Sequence, residues 1–339
     1  MNKLKIAVIC GGNSPERQVS LGCGLNVFNN LDRSKYEPFL IEVDEDLRWQ
    51  DTTSNQSVEL YSTQLGINYN LKDKYDLAFL AMPGSFGEDG QLQSILDMVG
   101  LPYTHSGRLS SAMTMDKATT ASLVDSVEIL TPKTLQFNSS SNIESLVDKI
   151  LNTFQYPIFV KPNNGGSSIN TYKIIEELEL WQALQELAKD LPNISILAQE
   201  CINGRELTCA VMGNNDGTVE ALMVGEIITG AEFFDYNAKY FDASTEEIFP
   251  AQIDIKTENR IKQMSVLAHQ ILKCDGLTRS DFILTKSGEI YFLEINTNPG
   301  MAQASLSPKI AKILYGSVSV LLDKIIDLAL IKFQIYPFR

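Results

Sequence analysis

Four side chains in the last quarter of the chain could assemble a cation site: Arg279, Asp281, Glu294 and Asn296. The acids belong to two short apolar runs, 280–284 and 289–294, joined by Thr285-Lys-Ser-Gly288. That linker reads as a hairpin turn in which Gly288 supplies the positive φ, and a hairpin sets Asp281 and Glu294 on neighbouring strands. Magnesium prefers hard oxygen ligands and usually shares its shell with nucleotide phosphates, so two carboxylates and an amide suit a Mg-nucleotide site better than zinc. The bland alternative is a pair of solvated strand ends. Against it, Glu294 sits between Ile290-Tyr-Phe-Leu293 and Ile295, and a carboxylate in so apolar a strand needs a partner or a cation. The turn Asn296-Thr-Asn-Pro-Gly300 follows, leaving backbone N–H groups able to face an anion.

A second group is Lys161-Pro-Asn-Asn-Gly-Gly-Ser-Ser168. Its glycines allow backbone to approach a phosphate and Lys161 adds a point charge. The spacing is not that of a P-loop, and a Gly-Ser loop can be a plain turn. A third, Gly11-Gly-Asn-Ser-Pro-Glu16-Arg-Gln-Val-Ser20, lacks the dinucleotide fingerprint, and Ser14 with Glu16 could simply cap a helix. Two further segments, Met82-Pro-Gly-Ser-Phe-Gly-Glu-Asp-Gly90 and Phe233-Phe-Asp-Tyr-Asn-Ala-Lys-Tyr240, are post-strand or aromatic loops that either serve a site or merely connect elements. Histidine chemistry has little support: of His105 and His269, neither sits in a base or metal motif, and His269 reads as packed in a helix. The five cysteines show no C-x-x-C pairing; they read as buried structural thiols in a reducing, cytoplasmic setting.

Several elements must position these groups. Residues 5–10 form a β-branched run ending in glycines, a buried parallel strand feeding a loop and a helix over 19–31. Strands are expected at 39–43 and 77–81, with a polar loop over 51–57 between them. The stretch 107–125 reads as helical. A second unit has a helix at 143–154, a strand at 158–161 and the loop 162–168. A third, from about residue 194, has strands at 195–199, 206–212 and 221–228, a helix at 257–272 and the hairpin. The alternation is that of an α/β protein. The apolar stretch 313–333 is interrupted by Asp323, Lys324 and Asp327 on one face and reads as a single amphipathic helix, not a membrane span.

At 339 residues, two or three domains are expected. With 42 acids against 28 bases, a net charge of -14, a broad surface for nucleic acid or anionic membrane is excluded, and any phosphate must be held locally.

Taken in order, Gly-Gly-x-Ser-x-Glu-Arg, Gly-Glu-Asp-Gly, Met-Asp-Lys, Lys-Pro-x-x-x-Gly-Ser-Ser, Tyr-x-Ala-Lys-Tyr, Arg-x-Asp and Leu-Glu-x-Asn-Thr-x-Pro-Gly-Met resemble the signature of the ATP-grasp enzymes, and within them of the D-alanine–D-alanine ligase family. The likeness spans nearly the whole chain. It implies an ATP-grasp fold behind an N-terminal Rossmann-like parallel-sheet domain: 1–106 for the first amino acid, 107–197 with the glycine-rich phosphate loop, and 198–339 with the metal and second-substrate sites. It further implies ATP as substrate, Mg²⁺ or Mn²⁺, two ions in all, a homodimer, and ligation of two D-alanines through an acyl phosphate for peptidoglycan precursors.

By that resemblance Lys117 and Lys161 hold the ATP phosphates under the loop of Gly166, Ser167 and Ser168, Glu206 takes the ribose, and Gln199, Glu200 and Ile202 edge the adenine. Asp281, Glu294 and Asn296 match the metal ligands. Glu16 matches the acid for the first ammonium, with Ser167 and Tyr240 as its linked partners, and Lys239 matches a lysine near the transferred phosphate. Arg279 and the Gly300 N–H match the oxyanion stabilisers, and Ser305 and Leu306 the second substrate's carboxylate pocket. One departure is Ala81-Met-Pro-Gly84, where the family usually has Ala-x-His-Gly. Pro83 therefore keeps open a ligase of other substrates, such as D-alanine with D-serine or D-lactate, beside the more distant alternative of a non-catalytic ATP-binding homologue.

Overall fold

The computed structural model describes residues 3–54, 56–58, 62–63, 66–67, 70–228 and 246–335. Lys239 and Tyr240, and with them the aromatic loop, lie outside the described residues.

The N-terminal sheet runs in the order Gln56–Val58, Trp49–Asp51, Tyr36–Val43, Leu4–Gly11, Leu77–Leu80. Its last three strands are parallel. Leu4–Gly11 lies at the middle because it is apolar on both faces: Ile6, Val8 and Cys10 enter one core, Ala7 and Ile9 the other, as the period of two requires. The first of these cores also takes Val27 from the helix Arg17–Asn30 and Leu321, Leu322 and Ile325 from the helix Val318–Lys332. The C-terminal helix is thus seated on the N-terminal sheet. The expected polar loop at 51–57 is instead an antiparallel ribbon at the sheet edge. Asp51 makes it possible, since its carboxylate accepts from the Thr53 and Ser54 N–H groups at 2.9 and 3.3 Å and closes a tight turn that a polar composition disguises.

The second sheet is antiparallel, in the order Tyr172–Ile174, Ile158–Pro162, Ser195–Glu200, Thr134–Asn138. Helices Ile143–Leu151 and Glu177–Asp190 cover it through Leu146, Ile150, Leu180, Leu184 and Leu187. The strand expected to open the third unit therefore pairs within the second, because Ile196 and Ala198 face this core. The sheet runs past the expected division at residue 197. The third sheet, also antiparallel, orders Glu246–Ile248, Val219–Ile228, Gly204–Asn214, Asp275–Thr285 and Ile290–Asn296, with the helix Ile255–Ile271 packed on it. The predicted hairpin is present, with Gly288 at φ 86°.

The stretch 107–125 is two helices, Arg108–Met115 and Lys117–Asp125, parted at Asp116, whose carboxylate caps the second by accepting from the Thr119 N–H at 2.8 Å. The single helix expected over 313–333 is likewise two, Leu306–Tyr315 and Val318–Lys332. Gly316, at φ 70°, ends the first, and Ser317 caps the second. Among the described residues no helix is long and apolar enough to cross a membrane.

Candidate active site

The residues that the family resemblance assigns to the site, Lys239 and Tyr240 apart, all line one cavity of about 690 Å³ where the three units meet. The volume suits a small-molecule site, which commonly occupies about 300–1,000 Å³.

Glu16 enters from the strand-end loop of the first sheet. It stands at the N-cap position of Arg17–Asn30 but makes no capping bond. Its buried carboxylate instead accepts the Ser167 hydroxyl proton of the glycine-rich loop, so the capping alternative fails for this side chain. Two glycines make the room. A Cβ on Gly84 would stand 1.8 Å from Glu16 Oε2, and one on Gly166 would stand 2.7 Å from it. Ser167 and Ser168 adopt φ values of 50° and 57°, a left-handed backbone costing about 1–2 kcal/mol per residue. The charge-assisted bond from Ser167 to Glu16 offsets part of that cost.

The floor under Gly84 is a joint that the motif reading did not identify. Glu88 is buried and accepts from the backbone N–H groups of Gly84 and of Asn298, each at 3.0 Å. The Asn298 amide returns a bond to the Met82 carbonyl at 2.9 Å. Burial pushes the Glu88 carboxyl above the ordinary carboxylate range, the charge of Glu16 adds to this, and the two N–H groups oppose it. Glu88 thereby ties the first-substrate loop to the turn that carries Gly300. Its place in Gly87-Glu-Asp-Gly90 was a signal; its partner, 210 residues away, was not.

The nucleotide side is built by the second sheet. Lys161 leaves the end of Ile158–Pro162, and its Nζ donates to Gln199 Oε1 at 2.9 Å across the sheet. Gln199 is oriented in turn by donating to Thr134 Oγ1 at 2.9 Å, and Glu200 accepts the Lys133 N–H at 2.6 Å. Glu200, half-buried Cys201 and Ile202 continue the edge. Lys117, at the first position of its helix, donates to the Gly165 carbonyl at 2.6 Å and stands 3.6 Å from Glu294 Oε2. It therefore reaches both the glycine-rich loop and the acid cluster. Glu206 lines the cavity next to the forked ion pair of Arg205 with buried Glu226, at 2.7 Å on both oxygens.

In the third sheet Asp281 stands opposite Glu294 and Arg279 opposite Asn296, with a register shift just after Asp281. A bulge of this kind bends the strand and re-aims side chains at its rim. Asp281, Glu294 and Asn296 offer hard oxygen donors, which fits magnesium or manganese and not zinc. Among the described residues no three His, Cys, Asp or Glu side chains gather, so a cation here would complete its shell with phosphate oxygens or water. Gly300 lies against Ser305, whose Oγ a Cβ at 300 would approach to 2.8 Å. Ser305 precedes the helix Leu306–Tyr315 without a side-chain capping bond, and a helix N-terminus favours a carboxylate.

The histidines and most cysteines take no part. His269 is buried, with Nδ1 2.8 Å from Thr278 Oγ1 and Nε2 3.2 Å from the Gly213 carbonyl. Burial raises Cys10, Cys209 and Cys274 to about 12 and Cys23 to about 11, which leaves these thiols protonated and inert.

Models of two known sequence families, described as "D-ala D-ala ligase N-terminus" and "D-ala D-ala ligase C-terminus", match residues 5–106 and 123–327. The chain belongs to the D-alanine–D-alanine ligase family. Relatives agree: D-alanine–D-alanine ligase B of Clostridium tetani is 34% identical over 97% of this chain and 94% of its own. The D-alanine–D-alanine ligase of Clostridium beijerinckii is 36% identical over 96% and 98%. Among solved structures, the D-Ala:D-Ser ligase VanG of Enterococcus faecalis superposes with a TM-score of 0.83 at 34% identity, covering 97% of this chain and 100% of that one. The Bacillus anthracis D-alanine–D-alanine ligase complexed with ATP gives 0.75 at 32% identity, covering 98% and 99%. These likenesses bear out the ATP-grasp fold expected of the D-alanine–D-alanine ligase family.

Proposed function

We propose that this chain is an ATP-dependent ligase that joins two D-alanines, releasing ADP and phosphate, and so supplies peptidoglycan precursor synthesis. One observation carries the reading: Glu16, from one unit, is bonded to Ser167, from the loop beside Lys117 and Lys161, in the cavity that also holds Asp281 and Glu294.

A carboxylate is a poor acyl donor until one of its oxygens becomes a leaving group, and transfer of the ATP γ-phosphate supplies that. Glu16 takes the ammonium of the first D-alanine, with Ser167 and Tyr240 fixing the carboxylate's position. Lys117 and Lys161 hold the phosphates under Gly166, Ser167 and Ser168, and Lys239 meets the transferred group. Gln199, Glu200 and Ile202 border the adenine, and Glu206 takes the ribose. Asp281, Glu294 and Asn296 would hold two Mg²⁺ or Mn²⁺ ions, which when bound neutralise charge on the moving phosphoryl group. The second D-alanine, its carboxylate at Ser305 and Leu306, attacks the acyl phosphate, while Arg279 and the Gly300 N–H face the developing oxyanion. No side chain need form a covalent intermediate. Family likeness supports a cytoplasmic homodimer.

The test is phosphate release and product analysis with Mg-ATP and D-alanine. D-alanyl-D-alanine with stoichiometric phosphate is expected; no release above background with any pair of D- or L-amino acids overturns the reading. A second reading, D-alanine with D-serine, is favoured by Pro83, which lines the cavity beside Gly84 without a side-chain hydrogen-bonding group, and by the likeness to VanG. D-serine competed against D-alanine in the same assay decides between them.

A further inference from the structure

Asp281 already carries a full complement of donors. Its Oδ1 accepts from Arg279 Nε at 3.0 Å and from Thr208 Oγ1 at 2.7 Å; its Oδ2 accepts from Arg279 Nη2 at 2.8 Å and from Asn296 Nδ2 at 3.2 Å. A carboxylate offers about four lone-pair sites, and these four bonds engage them all. Arg279 lies two residues before Asp281 on one strand, so both side chains leave the same face and the guanidinium forks across both oxygens. The pair is largely sheltered, with side chains 20% and 11% exposed. Thr208 faces Asp281 in the antiparallel register and is fully buried.

A hard cation binds through oxygen lone pairs. In this arrangement Asp281 has none to spare. Without the guanidinium, however, Asp281 would be a sheltered carboxylate stripped of its bonded countercharge, which is costly. Arg279 supplies the countercharge and, by the same contact, engages the lone pairs that a cation would need.

We propose that Arg279 and a cation are alternative occupants of Asp281: the guanidinium forks across the carboxylate oxygens that an ion would need and gives them up as an ion binds, while Thr208 keeps the carboxylate aimed under either occupant. The inference rests on the ligase reading above, in which Asp281 holds a metal and Arg279 faces the oxyanion. The exchange makes those two duties sequential. The guanidinium becomes available to the reacting carboxyl only after a cation has replaced it, so the electrophilic half of the site is assembled by metal loading. Thr208 is a positioning residue for this step.

The test uses the full chain and Mn²⁺ without nucleotide, with free Mn²⁺ read by electron paramagnetic resonance. Arg279→Lys keeps the positive charge but cannot fork across both oxygens, so it is expected to bind Mn²⁺ about tenfold more tightly than the parent. Thr208→Val, which leaves the carboxylate unaimed, is expected to bind several-fold more weakly. Equal affinity in the parent and Arg279→Lys overturns the proposal. So does tightening in Arg279→Met with none in Arg279→Lys, because charge alone would then account for it. A measurement on the unaltered protein guards against misfolded variants: the ¹⁵N-edited Nε–H resonance of Arg279, assigned by its loss in Arg279→Lys, should shift on addition of saturating Mg²⁺. An unmoved resonance overturns the proposal. Failure of the ligase reading looks different: it appears as no phosphate release with any amino-acid pair, whatever the Mn²⁺ affinities of parent and variants.

Discussion

Replacing Gly84 by alanine should disable first-substrate binding while sparing the nucleotide. Gly84 has φ 81°, and the added Cβ would lie 1.8 Å from Glu16 Oε2 and 2.8 Å from its Cδ, closer than packed atoms approach. Two costs follow. The left-handed backbone of a non-glycine residue costs about 1–2 kcal/mol in stability. The clash is relieved by moving the Glu16 carboxylate, which loses a hydrogen bond to a charged group worth about 1.5–3 kcal/mol. At about 1.4 kcal/mol per factor of ten, kcat/KM for D-alanine should fall by about tenfold to a hundredfold, mainly through KM of the first amino acid. ATP affinity, which depends on Lys117 and Lys161 across the cavity, should hold. Gly288→Ala is the control: its φ is 86°, yet nothing lies within 4 Å of the added Cβ, so it carries the backbone cost without the clash. Steady-state kinetics in D-alanine, calorimetric ATP binding and denaturant unfolding on both variants separate the effects. If both fold and show the same D-alanine kinetics, the cradle around Glu16 is not what holds the first substrate.

Lys161→Met removes the amine 2.9 Å from Gln199 and should weaken ATP by tenfold or more by calorimetry, with little change in nucleotide-free stability. Glu88→Gln leaves either the Gly84 or the Asn298 N–H facing an amide NH₂; a loss of about 1–3 kcal/mol should appear as a lower urea midpoint. Burial lowers both His105 and His269 from 6.5 to about 4. Because the folded value lies below the unfolded one, the unfolded chain binds the extra protons: stability is complete above about pH 6.5 and falls towards pH 4, by about 3 kcal/mol per histidine. Urea titrations from pH 7 to 4.5 should therefore be steeper for the parent than for the double variant His105→Gln, His269→Gln, and equal slopes would refute the assignment.

The parts of the site that sequence makes legible are those fixed by local rules. The turn at Gly288 sets the hairpin register and hence the pairing of Asp281 with Glu294, and the glycines at the end of Leu4–Gly11 and just past Ile158–Pro162 mark the loops of Glu16 and Ser167. The edge ribbon is obscured by its polarity, since Asp51 and Ser54 form a turn from residues that also suit a loop. The spacing of Leu180, Ala183, Leu184 and Leu187 would have located the helix Glu177–Asp190. Asp116 and Gly316, a cap and a left-handed stop, divide stretches that read as single helices. Contacts made by tertiary closure leave no local trace. Glu88 meets Asn298, and Thr208 meets Asp281, only because separate loops and strands converge.

The seam between the N-terminal sheet and the Asn298–Met301 turn has a property that bears on how such chains can be recombined. Glu88 accepts the backbone N–H of Asn298, the Asn298 amide reaches the backbone carbonyl of Met82, the Asn26 amide reaches the Met301 carbonyl at 2.7 Å, and the Met301 N–H reaches Cys23 Sγ at 3.1 Å. In every pair one partner is main chain, which mutation cannot remove short of proline. Each half of the seam thus tolerates drift at the positions its neighbour reads. A chimera that takes its first hundred residues from a distant relative should keep the joint as long as the few side chains at 23, 26, 88 and 298 are retained.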